Sequence, residues 1–215
     1  MKISGRAREI IDAIGSQEPR LGELRKIARE VKTDHELARE LWSTGTFHVR
    51  QLSILIMDKK ELSQDAVDVL TRDMLEHELD ERTQLMDWLM ANQLLKDKKL
   101  TGLVESWGSS SCLLQRRAFW YHQARLRWTG KAPPANTEKL VSAIESGLEK
   151  EEPDVQWAMN FTAGQIGIHE QEFRSRCIAI GEKSGLYKDE PVSRGCTPNY
   201  LPDFIAIEVA KREGG

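Results

Sequence analysis

The sequence predicts an all-α fold, a superhelical array of antiparallel helix pairs of the HEAT/armadillo-like kind. Three observations carry this expectation. Apolar residues recur at steps of three and four along most of the chain, the spacing of one helix face. The prolines (Pro19, Pro133, Pro134, Pro153, Pro191, Pro198, Pro202) and the glycines Gly15, Gly45, Gly108, Gly130 and Gly195 punctuate the periodic segments. No run alternates Val, Ile and Thr between hairpin turns, so no strand is expected.

The first periodic segment, Gly5 to Ile14, offers Ile10, Ile11 and Ile14 to a core. The second, Leu21 to Val31, offers Leu21, Leu24, Ile27, Ala28 and Val31. Asp34 is placed to cap a helix carrying Leu37, Ala38, Leu41 and Trp42. Phe47 to Met57 (FHVRQLSILIM) is the most apolar stretch and reads as a buried helix. Ser63 caps a helix with Val67, Leu70 and Leu75, and the next, after Leu79, carries Leu85, Trp88, Leu89 and Leu95. A short helix bears Leu100, Leu103, Val104 and Trp107. Beyond the Gly-Ser break a long helix spans Cys112 to Trp128. Thr137 opens a helix with Leu140, Val141, Ile144 and Leu148, and Asp154 caps one with Val155, Ala158, Met159 and Ile166. Two more run from Glu170 to Ser184 and from Pro202 to Arg212.

Helices of about 10 to 17 residues with links of roughly 2 to 6 read as stacked helical hairpins. Gly5–Ile14 would pair with Leu21–Val31, and the Asp34–Trp42 segment with Phe47–Met57. The spacing fits a degenerate HEAT-like period of about 35–45 residues, and neither a TPR nor an ankyrin signature is present. A non-repeating helical bundle is the alternative. Residues 1–215 are expected to form a single domain, with 186–215 a turn-rich strap followed by a terminal helix.

Composition narrows the function. A formal net charge of -3 excludes a global basic field, so any nucleic-acid site must be a local patch. Cys112, Cys177 and Cys196 are odd in number and far apart, which points to reduced thiols. The charged start MKISGRAREIID is not a signal peptide, and no segment approaches the roughly 18 apolar residues of a membrane helix. A cytoplasmic monomer is expected.

One such patch is present. QRRAFWYHQARLRWTGK (115–131) carries Arg116, Arg117, Arg125, Arg127 and Lys131 and no carboxylate, whereas the helices flanking it are acidic. The same stretch carries Phe119, Trp120, Tyr121 and Trp128. Rings stack on bases and guanidinium forks fit phosphates, so the pattern suits nucleic acid. The competing reading is a core face with arginine stems packed over it. Trp88 with Asn92, and Trp157 with Phe161, lie four apart and so share a helix face. Each pair taken alone is ordinary packing; together they put aromatics on three helices of one array. Five histidines (His35, His48, His77, His122, His169) show no metal spacing, and GQIG at 164–167 is not a phosphate loop. Neither a metal nor a cofactor is expected. Cys196 beside Arg194 is a candidate activated thiol within a strap that otherwise reads as structural.

Four stretches in order, ARELWSTGTFHVRQLSILIMD, QLMDWLMANQLL, LLQRRAFWYHQARLRW and DVQWAMNFTAGQIG, resemble the DNA alkylation repair family, the AlkD-type glycosylases of HEAT-like repeats. The resemblance covers about residues 5 to 185. It implies a protein that grips alkylated double-stranded DNA in a basic groove. Such a protein excises cationic N3- and N7-alkylpurines without flipping the base into a pocket, between an aromatic pair and a carboxylate. By this resemblance Trp88 falls on the first aromatic and Asn92 on the carboxylate position. Phe161 falls on the second tryptophan, with Trp157 one turn earlier able to fill that space. Arg117, or its neighbour Arg116, falls on the DNA-contacting arginine, and Arg116, Arg117, Arg125, Arg127 and Lys131 would hold phosphates.

Asn92 is a departure, because an amide carries no full negative charge. Losing a charge-stabilising group costs about 2.7–4 kcal/mol of barrier. Asp87 is the other nearby carboxylate, about 140° around the helix from position 92 at roughly 100° per residue. The expected function is recognition or excision of alkylpurines in duplex DNA, with glycosylase activity reduced or lost. The alternative is a helical-repeat protein-interaction scaffold. Arginines lining one face would favour DNA; arginines paired with acids of neighbouring helices would favour the scaffold.

Overall fold

The computed structural model describes residues 3–15, 19–129 and 132–214; Lys131 lies outside the described residues. Among the described residues there are twelve α-helices and no strand: α1 (Gly5–Ile14), α2 (Leu21–Val31), α3 (His35–Trp42), α4 (Phe47–Ile56), α5 (Gln64–Met74), α6 (Leu79–Asn92), α7 (Lys98–Ser106), α8 (Leu113–Trp128), α9 (Thr137–Gly147), α10 (Pro153–His169), α11 (Gln171–Ser184) and α12 (Leu201–Glu213). They cluster into two compact units, Met1–Ser106 and Trp107–Gly215.

In the first unit the helix starts are set by side-chain acceptors. Asp34 Oδ1 accepts from the Leu37 N–H at 3.1 Å, and Ser63 Oγ accepts from the Ala66 N–H at 3.2 Å, satisfying amides the helix leaves orphaned. The apolar run of α4 is buried as expected, and α2, α3 and α6 pack on it. α3 and α4 form a close hairpin, whereas α1 packs mainly on α3 and α4 and α2 on α4. Two polar residues of α4 are also inside. Arg50 lies over the Trp42 ring at 4.8 Å and donates to the carbonyls of Trp42 and Asp73, and Ser53 donates to Ala38 O at 2.7 Å. Buried donors need such partners.

α6 ends earlier than the periodicity through Leu95 predicts. Gln93 leaves helical geometry, and its amide donates to Ile54 O at 2.6 Å and Met57 O at 3.2 Å. The end of α6 is thus spent on the open carbonyls at the end of α4. Leu75, expected inward, is 37% exposed, because α5 stops at Met74.

In the second unit α8 and α10 are the central pair, with α9, α11 and α12 against α10. Trp120, Val141, Ile144, Val155, Ala163 and Ile166 belong to its core. α10 does not start at an Asp154 cap. Glu152 is the N-cap and Pro153 takes the first helical turn, where a missing N–H costs nothing; Asp154 sits inside that turn, where its charge favours the positive helix end. The GQIG stretch is the seat of α12. A Cβ at Gly164 would lie 2.5 Å from the Phe204 ring, and one at Gly167 would lie 2.6 Å from Ile205. Between α11 and α12 the strap is held where the Asn160 amide donates to Asn199 O at 2.8 Å.

Candidate nucleic-acid interface

In the first unit α6 presents Trp88 and, one turn later, Asn92. The Trp88 indole N–H donates to Gln51 O at 3.0 Å, which fixes the ring against α4. From α2, the Arg25 guanidinium lies over the ring, 5.0 Å from its centroid. Beside the ring is an open groove of about 760 Å³, bordered by Trp88, Arg20, Leu21, Phe47, Gln84 and Asp87 among others. Asn92 does not border it. The Asn92 amide donates to its own helix at Trp88 O, 2.9 Å away. Asp87, on the helix face away from Asn92, therefore shares the groove with Trp88.

In the second unit α8 and α10 assemble an aromatic cluster. Trp157 and Phe161 stack at 5.3 Å with an interplanar angle of 10°. Tyr121 stacks on both, at 6.2 Å and 6.0 Å, and Trp128 meets Phe161 edge-on at 5.5 Å. All four rings are half-buried. The Arg117 guanidinium stands 5.6 Å from both the Tyr121 and the Trp157 centroids. Trp120, by contrast, is 5% exposed and belongs to the core. The core reading of this helix thus holds for Trp120, while Tyr121 and Trp128 stay half-buried in the aromatic cluster.

The arginines of α8 do not form one stripe. Arg127 is the clear correction. Its side chain is 0% exposed, with Nε on Glu170 Oε1 at 2.8 Å and the other donors on Gln123 O, Asn136 and Thr137. Burial pushes its pKa down, and the Glu170 charge opposes that shift. A guanidinium enclosed this way is a core ion pair and is withdrawn from any phosphate. Arg116 is bonded to Glu151, with Nη2 to Oε2 at 3.0 Å, and donates to Ser110 O at 2.8 Å. Arg117 is only 4% exposed, its guanidinium used on the rings. Arg125 is half-buried and has no ion pair among the described residues.

The more open cations are on α2 and its two caps, where no charge pattern marks them. Arg20, Arg25, Lys26, Arg29 and Lys32 are exposed, and none has an ion pair among the described residues. Glu23 and Glu30 are interleaved with them, so no charge run shows; the available signal was Arg25 and Arg29 four apart, on one face.

The model of the DNA alkylation repair enzyme family matches residues 15–184. The chain belongs to that family. A solved structure covers 99% of this chain and 90% of its own at 20% identity, with a TM-score of 0.65. It is of a protein from a new family of proteins related to the HEAT-like repeat DNA glycosylases with affinity for branched DNA structures, and the likeness establishes a HEAT-like repeat fold. Among curated proteins none matches the chain. α12 and the strap lie beyond the family match. No helix among the described residues is long and apolar enough to cross a membrane.

Proposed function

We propose that this member of the DNA alkylation repair family binds DNA but excises alkylpurines poorly or not at all. What supports the reading is Asn92: the residue that the resemblance puts at the family's carboxylate position is a neutral amide, folded back onto Trp88 O. Without a negative charge there, an oxocarbenium-like sugar loses its electrostatic partner. DNA binding is supported by family membership and by the half-buried stack of Tyr121, Trp157 and Phe161, whose rings suit bases. The solved relative's affinity for branched DNA makes a junction a proper probe beside plain and alkylated duplex.

The test is binding of the purified chain to duplex, methylated duplex and a four-way junction across a salt series, with Trp157→Ala as the variant and base release followed in parallel. Salt-sensitive binding, weakened in the variant and without base release, is the expected result. Robust release of alkylpurine would overturn it. A second reading, a protein-interaction scaffold, is favoured by the ion pairs that engage Arg116 and Arg127 internally. No DNA binding at low salt would leave that reading.

A further inference from the structure

The groove beside Trp88 has the wrong electrostatics for a cationic base. A positively charged alkylpurine is drawn to an aromatic face and a nearby carboxylate. Here the Trp88 face already holds a cation, the Arg25 guanidinium 5.0 Å from the ring centroid. Among the described residues Asp87 is the one carboxylate bordering the same groove, while Arg20 borders it and Arg25 lies over its Trp88 wall; residue 92 does not border it.

We propose that this groove binds a nucleotide through its phosphate, with Arg25 and Arg20 as the anion-binding groups, and that it discriminates against cationic bases. The inference rests on the DNA-binding reading above and says which part of the DNA this site takes. Both arginines are exposed and without an ion pair among the described residues, so their donors are open to a ligand. A guanidinium lying over an indole keeps its in-plane N–H donors clear of the ring, and those donors fit two oxygens of one phosphate. Arg29, one turn beyond Arg25 and also exposed, extends the edge along α2. Leu21, Phe47 and the Trp88 ring supply the apolar wall for a sugar or base, and the Gln84 amide can meet a base edge. A cationic base entering here would have to displace Arg25 and then remain beside it as a like charge.

The experiment measures equilibrium binding of wild type, Arg25→Ala, Arg25→Gln and the Arg20→Ala/Arg25→Ala pair to a four-way junction, a duplex and the same duplex carrying 7-methylguanine, across a potassium chloride series. Melting curves check that each variant is folded; Arg25→Gln keeps the stem over Trp88 if the alanine variant does not fold. Loss of Arg25 is expected to weaken binding about tenfold and flatten the log–log salt slope by about one, and loss of both arginines to flatten it by about two. Wild type is expected to bind methylated duplex no tighter than plain duplex, and Arg25→Ala to shift the ratio toward the methylated one. If wild type binds DNA while the folded variants keep its affinity and slope, the inference falls and the DNA reading stands. Preference of wild type for methylated duplex also overturns it. If wild type binds no probe, both readings fall.

Discussion

Arg127 donates from Nε to Glu170 Oε1 at 2.8 Å, and both side chains are withdrawn from solvent. Thr137 Oγ1 donates to the other Glu170 oxygen at 2.6 Å, so the pair closes a network joining α8, α9 and the α10–α11 corner. Arg127→Ala should therefore cost about 3–5 kcal/mol of stability, because it strands a buried carboxylate. Urea unfolding checks this. Arg127→Met combined with Glu170→Leu should recover most of the loss, and DNA affinity per folded molecule should be unchanged in both. A drop in affinity with intact stability would return Arg127 to the DNA-binding set.

Asn92→Asp puts a carboxylate at the position that the sequence resemblance assigns to the family's carboxylate. Release of 7-methylguanine from methylated duplex should rise about a hundred- to a thousandfold over the wild-type rate when Asn92→Asp is combined with Arg25→Ala, which clears the Trp88 face, and less in Asn92→Asp alone. Chromatography of the freed base reads it out. No gain would show that charge at residue 92 is not what the site lacks.

Gly164 faces the Phe204 ring with no room for a methyl group. Gly164→Ala should destabilise by about 1–3 kcal/mol. In a double-mutant cycle with Phe204→Ala the combined cost should be less than the sum of the two, since the truncated ring vacates the space. Additive costs would refute the contact. Phe204 also lies 6.0 Å from Phe161, so the same variants test whether α12 steadies the aromatic cluster.

Cys177 is buried, and desolvation raises its thiol pKa from 9.0 to about 12. The folded value lies above the unfolded one, so the folded state keeps the proton longer. Stability from this group is full below pH 9 and is lost as pH rises toward 12, at about 1.4 kcal/mol per pH unit within that window. Urea midpoints at pH 8, 9 and 10 should fall in wild type and fall less in Cys177→Ala. The same burial makes Cys177 inert to thiol reagents at pH 8 in the native state.

Much of the helical framework is legible because its causes are local. Asp34 and Ser63 precede apolar periodicity and do cap α3 and α5; the continuous apolar run of α4 is buried, and α8 follows the Gly-Ser break. The misses have two kinds of cause. α6 stops at Asn92 because Gln93 reaches the end of α4, a contact 39 positions away in sequence, whereas α10 starts at Pro153 for a local reason, a proline in the first turn that displaces the role expected of Asp154. The candidate site was half legible. Trp88 and Asn92 fall on α6 and Trp157 and Phe161 on α10, each pair four apart on one helix as the spacing reads, while Arg25 over Trp88 comes from a helix whose cations were masked by interleaved glutamates.

The sequence by itself determined the fold class, the order of helices and the uncharged residue at position 92, since periodicity, caps and residue identity are properties of neighbouring positions. Only the tertiary structure decided which cations are spent. Arg116 on Glu151, Arg127 on Glu170 and Arg25 on Trp88 are partnerships 35, 43 and 63 positions apart in sequence. The Arg127 guanidinium, meeting a buried carboxylate, is taken out of solvent, whereas the Arg25 guanidinium over the half-buried Trp88 ring stays exposed. Residue type cannot distinguish those fates, because they depend on what the packing of other helices brings within a few ångströms.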